Sequence, residues 1–400
     1  MAVSPGSLEA LRRRNRLHII EILQQQGRAS RAEISRATGL SRTAVSTLVG
    51  QLLADGIVVE RDDEDRQAPS PNGGRPPTLL SLDPSSGGFA GIYFAHDSVR
   101  AIVVDRSGTT LADARAELDV DHQPAEAVRT SVGLVADLLG RVAMRQDRLA
   151  GIGVALSAPL RGGAGELASP RIFPHWGEVD VAHEIGSRLG GTVHVGNDAN
   201  LGGLAEATVG AGRGTSNLVY VMLSAGVGSA LILDGKLYEG QTGTAGELGH
   251  MVVEPDGAIC RCGNRGCLET VASSAALSTA LNGAHGSALA FSDLLGLLER
   301  RDPAALRALA DAGRAVGRAL AAACTMLDPG MVVVGGELAA GGEALLDGIR
   351  ETLDRETSAT GHGYPVVRGE LGPTAEVLGA ALLAMRSAAF ATPLERAPIA

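Results

Sequence analysis

Three cysteines crowd into eight residues of this chain, Cys260, Cys262 and Cys267, and His250 stands ten residues before the first of them. The only other cysteine among 400 residues is Cys324. A disulfide framework spreads its cysteines along a small secreted chain, whereas thiols clustered with an imidazole read as ligands for one ion. Three thiolates and one imidazole fill all four positions of a tetrahedral site, which is the composition of a structural zinc centre. Gly263 and Gly266 permit the tight loop that converging ligands require. The spacings are C-x-C and C-x4-C, not the C-x-x-C of redox motifs. A structural Zn2+ held by His250, Cys260, Cys262 and Cys267 is therefore expected, with its binding coupled to local folding.

Charge divides the chain. Residues 1–50 carry eight arginines and three acids, a net +5, so the remaining 350 residues carry −15 of the overall −10. A basic head on an acidic body is the footprint of a DNA-binding module joined to something else. The length suggests two or three domains. Aromatic residues are only 2% of the chain, so its cores must be built from Ala, Val, Leu and Ile. No apolar run reaches membrane-spanning length and the N-terminus is charged, so a cytoplasmic protein with no membrane partner is expected.

The head reads as three helices and a wing. Apolar positions over residues 8–25 fit an amphipathic helix with an arginine-rich outer face. Ser30 with Glu33 makes a capping box for a short second helix, and Gly39-Leu40 makes a tight turn. Ser41 then caps a third helix, RTAVSTLVGQLLADG. Ile34, Ala37, Leu40, Val45 and Leu48 are its expected core. Strands at 57–60 and 78–82 flank an acidic, Pro/Gly-rich tip containing Arg75, and 83–88 reads as a linker. This is a winged helix-turn-helix. Ser41, Arg42, Thr43, Ser46 and Thr47 lie on the early polar face of the third helix, where base edges are reached in the major groove. Arg75 can extend into a minor groove, and Arg12, Arg13, Arg14 and Arg16 can meet phosphates. The alternative for the head is a helical assembly module with a solvated arginine face.

From residue 89 the texture is α/β. GIYFA, RAIVVD, TLADARAEL, LAGIGVAL, TVHVGND, NLVYVMLSAGVGSALIL and MVVVGG read as strands, with helices near 124–145, 178–190, 198–210, 303–327 and 374–390. The alternation is not strict, so a simple Rossmann sheet is not expected.

The segment GTAGELGHMVVEPDGAICRCGNRGCLE at 243–269 resembles the signature of the ROK family of repressors, open reading frames and sugar kinases. GIGVALSAPL, GNDANLGGLAE, SAGVGSALILDGKLYEG and VVVGGELA agree with it, so the resemblance covers about residues 84–390. The head placed before GGRP resembles the transcriptional branch that includes the xylose and N-acetylglucosamine repressors. The resemblance implies an actin-like (ribonuclease H-like, sugar-kinase) body of two α/β lobes around a sugar-binding cleft. Its expected divisions are 1–83 for the head, 84–197 for a first lobe completed by 374–400, and 198–373 for a second lobe with the zinc loop. It also implies sugar contacts by Asn197, Asp198, Glu247, His250 and Glu269, Asp198 being the catalytic-base position of the kinases. Carboxylates and an amide suit vicinal hydroxyls, although Asp198 alone could cap a helix starting at Ala199.

The chain departs from the kinases at both phosphate loops. Where they carry D-x-G-G-T, this chain has Tyr93, Ala95, His96 and Asp97; where they carry G-T-G-x-G, it has Ser224-Ala225-Gly226-Val227-Gly228. Phosphoryl transfer rests on positioning and charge stabilisation, and these are the parts altered. Arg171 replaces an Asn that contacts sugar in the family, so Arg171 or His175 could select an acidic or phosphorylated sugar, or simply face solvent. The expectation is a sugar-controlled regulator, a repressor without efficient kinase activity. Its partners would be a double-stranded DNA operator and a sugar or sugar derivative, and it would form a homodimer or homotetramer. The alternatives are an active ATP-dependent sugar kinase with a nucleic-acid-binding head, and a structural zinc protein whose head mediates assembly.

Overall fold

The computed structural model describes residues 8–61, 78–83, 87–161, 165–168, 172–173, 175–286, 289–357, 361 and 363–390. The head comprises α1 (Leu8–Gln26), β1 (Ala29–Ser30), α2 (Arg31–Thr38), α3 (Arg42–Ala54), β2 (Val58–Arg61) and β3 (Leu79–Leu82). The local signals act as their chemistry requires. Ser30 accepts from the Glu33 amide while Glu33 accepts from the Ser30 amide, and Ser41 accepts from the Ala44 amide. Gly39 closes α2 at φ 70°, a left-handed conformation that suits glycine. Ile34, Val45 and Leu48 are buried and Leu40 is half-buried, but Ala37 is exposed. Ala37 turns outward because Ile19, Leu23, Leu52 and Leu80 fill the core around Ile34. The wing has a third strand as well: β1 pairs antiparallel with β3 on the side opposite β2. The expected tip with Arg75 lies outside the described residues.

The body contains two five-stranded sheets. The first comprises β4 (Gly88–Phe94), β5 (Ser98–Asp105), β6 (Thr110–Glu117), β7 (Leu149–Leu156) and, after the two-residue strands β8 (Leu160–Arg161) and β9 (Glu166–Leu167), β10 (Val193–Asn197). Helices α4 (Pro124–Arg141) and α5 (Val181–Leu189) cover one face, and α6 (Asp198–Val209) leaves its last strand. The second sheet comprises β11 (Leu218–Leu223), β12 (Val227–Leu233), β13 (Lys236–Leu237), β14 (Met331–Gly335) and β15 (Val366–Arg368). Between and after these come α7 (Glu269–Ala272), α8 (Ser274–His285), α9 (Phe291–Glu299), α10 (Pro303–Leu327), α11 (Glu343–Glu356) and α12 (Ala375–Phe390).

Each sheet follows one plan. Three strands meander antiparallel and two more add in parallel beside the first, in the orders β6-β5-β4-β7-β10 and β13-β12-β11-β14-β15. The segment 217–233, read as one strand, is a hairpin that turns at Ser224–Gly226, where the Ser224 amide donates to the Gly226 carbonyl. Along β11 the side chains alternate as a strand buried on both faces must. Val219, Val221 and Leu223 pack under the outer helices, whereas Leu218, Tyr220 and Met222 face α6.

Helix α6 is buried from Asp198 to Glu206 because it packs against α12 and strands of the second sheet. Its small residues permit this. A side chain at Gly203 would collide with Ala230, and one at Gly379 of α12 would collide with the Leu201 carbonyl. Helix α12 covers the open face of β4, β5 and β7, and it also touches α1 of the head. Among the described residues no helix is long and apolar enough to cross a membrane.

Candidate functional site

The cleft is lined by the β4–β5 turn, the N-terminus of α6, the β11–β12 turn and the cysteine loop. The loop is shaped by short backbone pairings. The Cys260 amide donates to Asn264, the Gly266 amide to Ala258, and isolated bridges join Val252 to Cys267 and Ile259 to Arg265. Gly266 sits at φ 69° with the Glu254 carbonyl where a side chain would be, so only glycine fits. The result brings the ligand atoms of His250, Cys260, Cys262 and Cys267 within 4.8 Å of one another.

The spacing fits a metal ion. Cys262 Sγ and Cys267 Sγ are 3.7 Å apart, as are Cys260 Sγ and His250 Nδ1. Four ligands at tetrahedral angles, each thiolate about 2.3 Å from the ion, stand about 3.7 Å apart. Burial and the neighbouring thiols push the Cys267 thiol up to about 12, so a cation is what would favour the thiolates. Burial lowers His250, favouring the neutral ring that ligates. Its Nδ1 faces the thiols while Nε2 lies 3.8 Å from Glu247 Oε2, toward the cleft. One ring therefore borders both the cysteine loop and the cleft.

The hydroxyl-binding candidates converge on the same cleft: Asn197, Asp198, Glu247, His250 and Glu269 all line it. Asn197, not Asp198, is the N-cap of α6. Its Oδ1 accepts from the Asn200 amide at 3.0 Å, and its Nδ2 donates to Ala158 O at 3.1 Å. The helix begins one residue earlier than Ala199, leaving Asp198 inside its first turn. Asp198 is 4% exposed. It accepts from the Ser157 hydroxyl at 2.7 Å, the Ala199 amide at 2.8 Å and the Tyr93 hydroxyl at 3.3 Å. Burial raises its pKa and these donors oppose the rise. Burial, then Asp198 and Glu269, push Glu247 up to about 7.

Glu269 is held by a residue that the sequence reading passed over. Arg261 Nε donates to Glu269 Oε1 at 3.0 Å and Nη2 to Oε2 at 3.2 Å, a bidentate pair. Arg261 Nη1 also lies 3.5 Å from His96 Nε2. Ser157 and Tyr93 were likewise missed as partners of Asp198. Arg171 lies outside the described residues. His175 is not among the described residues lining the cleft, and its ring meets His122 with centroids 5.8 Å apart.

In the head, Ser41, Arg42, Thr43, Ser46 and Thr47 are all exposed at the start of α3. Arg12 and Arg14 are exposed, whereas Arg16 is paired with Asp55 within the head.

Comparison with known proteins agrees with this layout. Residues 12–59 match the model for winged helix-turn-helix DNA-binding domains. The xylose repressor of Bacillus subtilis (strain 168) is 29% identical over 351 residues, covering 88% of this chain and 89% of that protein. The DNA-binding transcriptional dual regulator NagC of Escherichia coli (strain K12) is 26% identical, covering 92% of this chain and 91% of its own length. Among solved structures, a ROK family glucokinase from Streptomyces griseus, in complex with glucose and AMPPNP, has a TM-score of 0.66 at 26% identity, covering 74% of this chain and 99% of that one. A ROK family transcriptional regulator, a homolog of the E. coli MLC protein, has a TM-score of 0.74 at 22% identity and shares the fold over 95% of this chain and 97% of its own. Residues 89–387 match the ROK family model, and the chain belongs to the ROK family.

Proposed function

We propose that this protein is a DNA-binding transcriptional regulator, a repressor, whose cleft binds a sugar or sugar derivative and which does not act efficiently as a kinase. The observation that carries the reading is the union of two surfaces. One is an exposed polar face at the start of a capped α3; the other is a cleft where Asn197, Asp198, Glu247, His250 and Glu269 converge. The likeness to a xylose repressor and to an N-acetylglucosamine repressor supports the ligand class. His250, Cys260, Cys262 and Cys267 would hold a zinc ion, which would keep the loop rigid beside the cleft and take no part in chemistry. Homodimers or homotetramers would present paired heads to a pseudo-palindromic operator.

The loss of kinase activity is supported by the cleft itself. Tyr93 stands in the phosphate-loop acid position and donates to Asp198, whose carboxylate already takes three further hydrogen bonds, from Ser157, Ala199 and the Asn197 side chain. A base so occupied is poorly placed to receive a substrate proton. A route from cleft to head also exists. Asn197 and Asp198 begin α6, α6 packs along α12, and α12 touches α1. A sugar moves this equilibrium only by its different affinity for the two arrangements.

The test is a gel shift on the gene's own upstream DNA with a panel of sugars, beside a coupled ADP-release assay. Operator binding that one sugar alters, with no ADP release, is expected. Absence of DNA binding under every condition refutes the regulator, and sugar-dependent ADP turnover refutes the lost kinase activity.

A further inference from the structure

We infer that Arg261 is a built-in competitor for the sugar site and a latch across the cleft: it must leave Glu269 before that carboxylate can receive a ligand. The competition rests on the sugar reading; the latch does not. Glu269 is 8% exposed, and both of its oxygens are engaged. Both oxygens are taken by the Arg261 fork, and Oε2 also lies 3.4 Å from the Val227 amide. A carboxylate with both oxygens so engaged has little left for hydroxyl donors.

The same guanidinium reaches the other lobe. His96 is held by Asp121, with Nδ1 2.7 Å from the carboxylate. If Nδ1 carries the proton toward Asp121, Nε2 is left as an acceptor facing Arg261 Nη1. Asp121, His96, Arg261 and Glu269 then form one polar chain, two members from each side. It joins the β4–β5 turn to the cysteine loop and passes beside the β11–β12 turn, where a side chain on Gly226 would stand 3.0 Å from Arg261 Nη2. Arg261 is 36% exposed, so it has room to swing outward, whereas the Glu269 side chain is 10% exposed and stays put. Two states follow. In one, Arg261 joins the lobes and covers Glu269; in the other, Arg261 faces water and Glu269 faces the ligand. Apparent affinity is reduced by the fraction of molecules in the first state.

The experiment uses the full-length, metal-loaded protein in three forms: wild type, Arg261→Gln and His96→Ala. Backbone hydrogen exchange without sugar reads the latch. His96→Ala should speed exchange across 261–268, and Arg261→Gln should speed it at 96–98, each effect appearing on the lobe opposite the substitution. Unchanged exchange on the opposite lobe in both variants overturns the latch. Titration with the sugar that shifts the wild-type melting temperature reads the competition. Arg261→Gln should bind it about tenfold tighter. A loss of affinity overturns the competition and makes Arg261 a ligand contact; equal affinity overturns it too. No response to any sugar in all three forms refutes the sugar reading, and the exchange result still decides the latch.

Discussion

At the scale of single residues, the cleft depends on side chains that are far apart in sequence and whose roles appear only once they meet. Tyr93 and Asp198 are 105 positions apart, so no spacing rule could pair them. Tyr93 was legible as a departure from a phosphate loop, but its donation to Asp198 was not. Arg261 lies between two ligand cysteines, where attention goes to the thiols; only the turn of the loop shows its guanidinium aimed at Glu269. The cluster that could hold a metal ion, by contrast, was legible because three of its four residues lie within eight positions. Cys262→Ser should lower bound metal from about one ion per chain to near none by elemental analysis, and lower the melting temperature by several degrees, because binding energy at such a site is also folding energy. Retention of the full metal content would show that the cluster is not the site.

At the scale of elements, signals carried by neighbouring residues were read well. The Ser30–Glu33 box, the Ser41 cap and the Gly39 turn are satisfied within a few positions of one another. Elements defined by distant partners were missed. β1 has only two residues and becomes a strand because Leu79 and Leu80 align with it. Helices α8, α9 and α11 also went unread, although α8 runs from a Ser273 cap to a left-handed Gly286, because their apolar faces are shared among one another and α10. Close packing of α6 against α12 gives a test. A Cβ on Gly379 would strike the Leu201 backbone carbonyl, which cannot rotate away as a side chain can. Gly379→Ala should therefore cost about 1–3 kcal/mol, seen as a lower urea midpoint for the body. An unchanged midpoint would mean that the two helices are not held in this contact.

At the scale of the whole molecule, the seam between the lobes is unusually polar for so buried a place. Glu376 of α12 is 3% exposed, accepts from the Tyr220 hydroxyl at 3.3 Å, and is pushed up to about 8 chiefly by burial. Glu206 of α6 is fully buried and accepts from the amides of Ala211, Glu370 and Leu371. For Glu376 the folded pKa lies above the ordinary carboxyl value of 4.5, so between about pH 4.5 and 8 the folded state binds more protons than the unfolded. Stability must then fall as pH rises through that window. Glu376→Gln removes the titration, so its melting temperature relative to wild type should climb steadily from pH 5 to pH 8.5. In unfolding free energy the gain should reach on the order of a few kcal/mol at the upper end. A constant difference across the range would show that Glu376 is not the group responsible.

The placement of α12 also orders events during synthesis. The head is closed once β3 has been made, since every strand and helix of its core lies before residue 83. The first sheet is formed by residue 197, yet Phe89, Tyr93, Ile102, Val104 and Ala155 keep a bare face until residues 375–390 emerge. A nascent chain halted between those points would carry a finished DNA-binding module on a body with an open, adhesive flank, and ribosome-bound chaperones would meet that flank first.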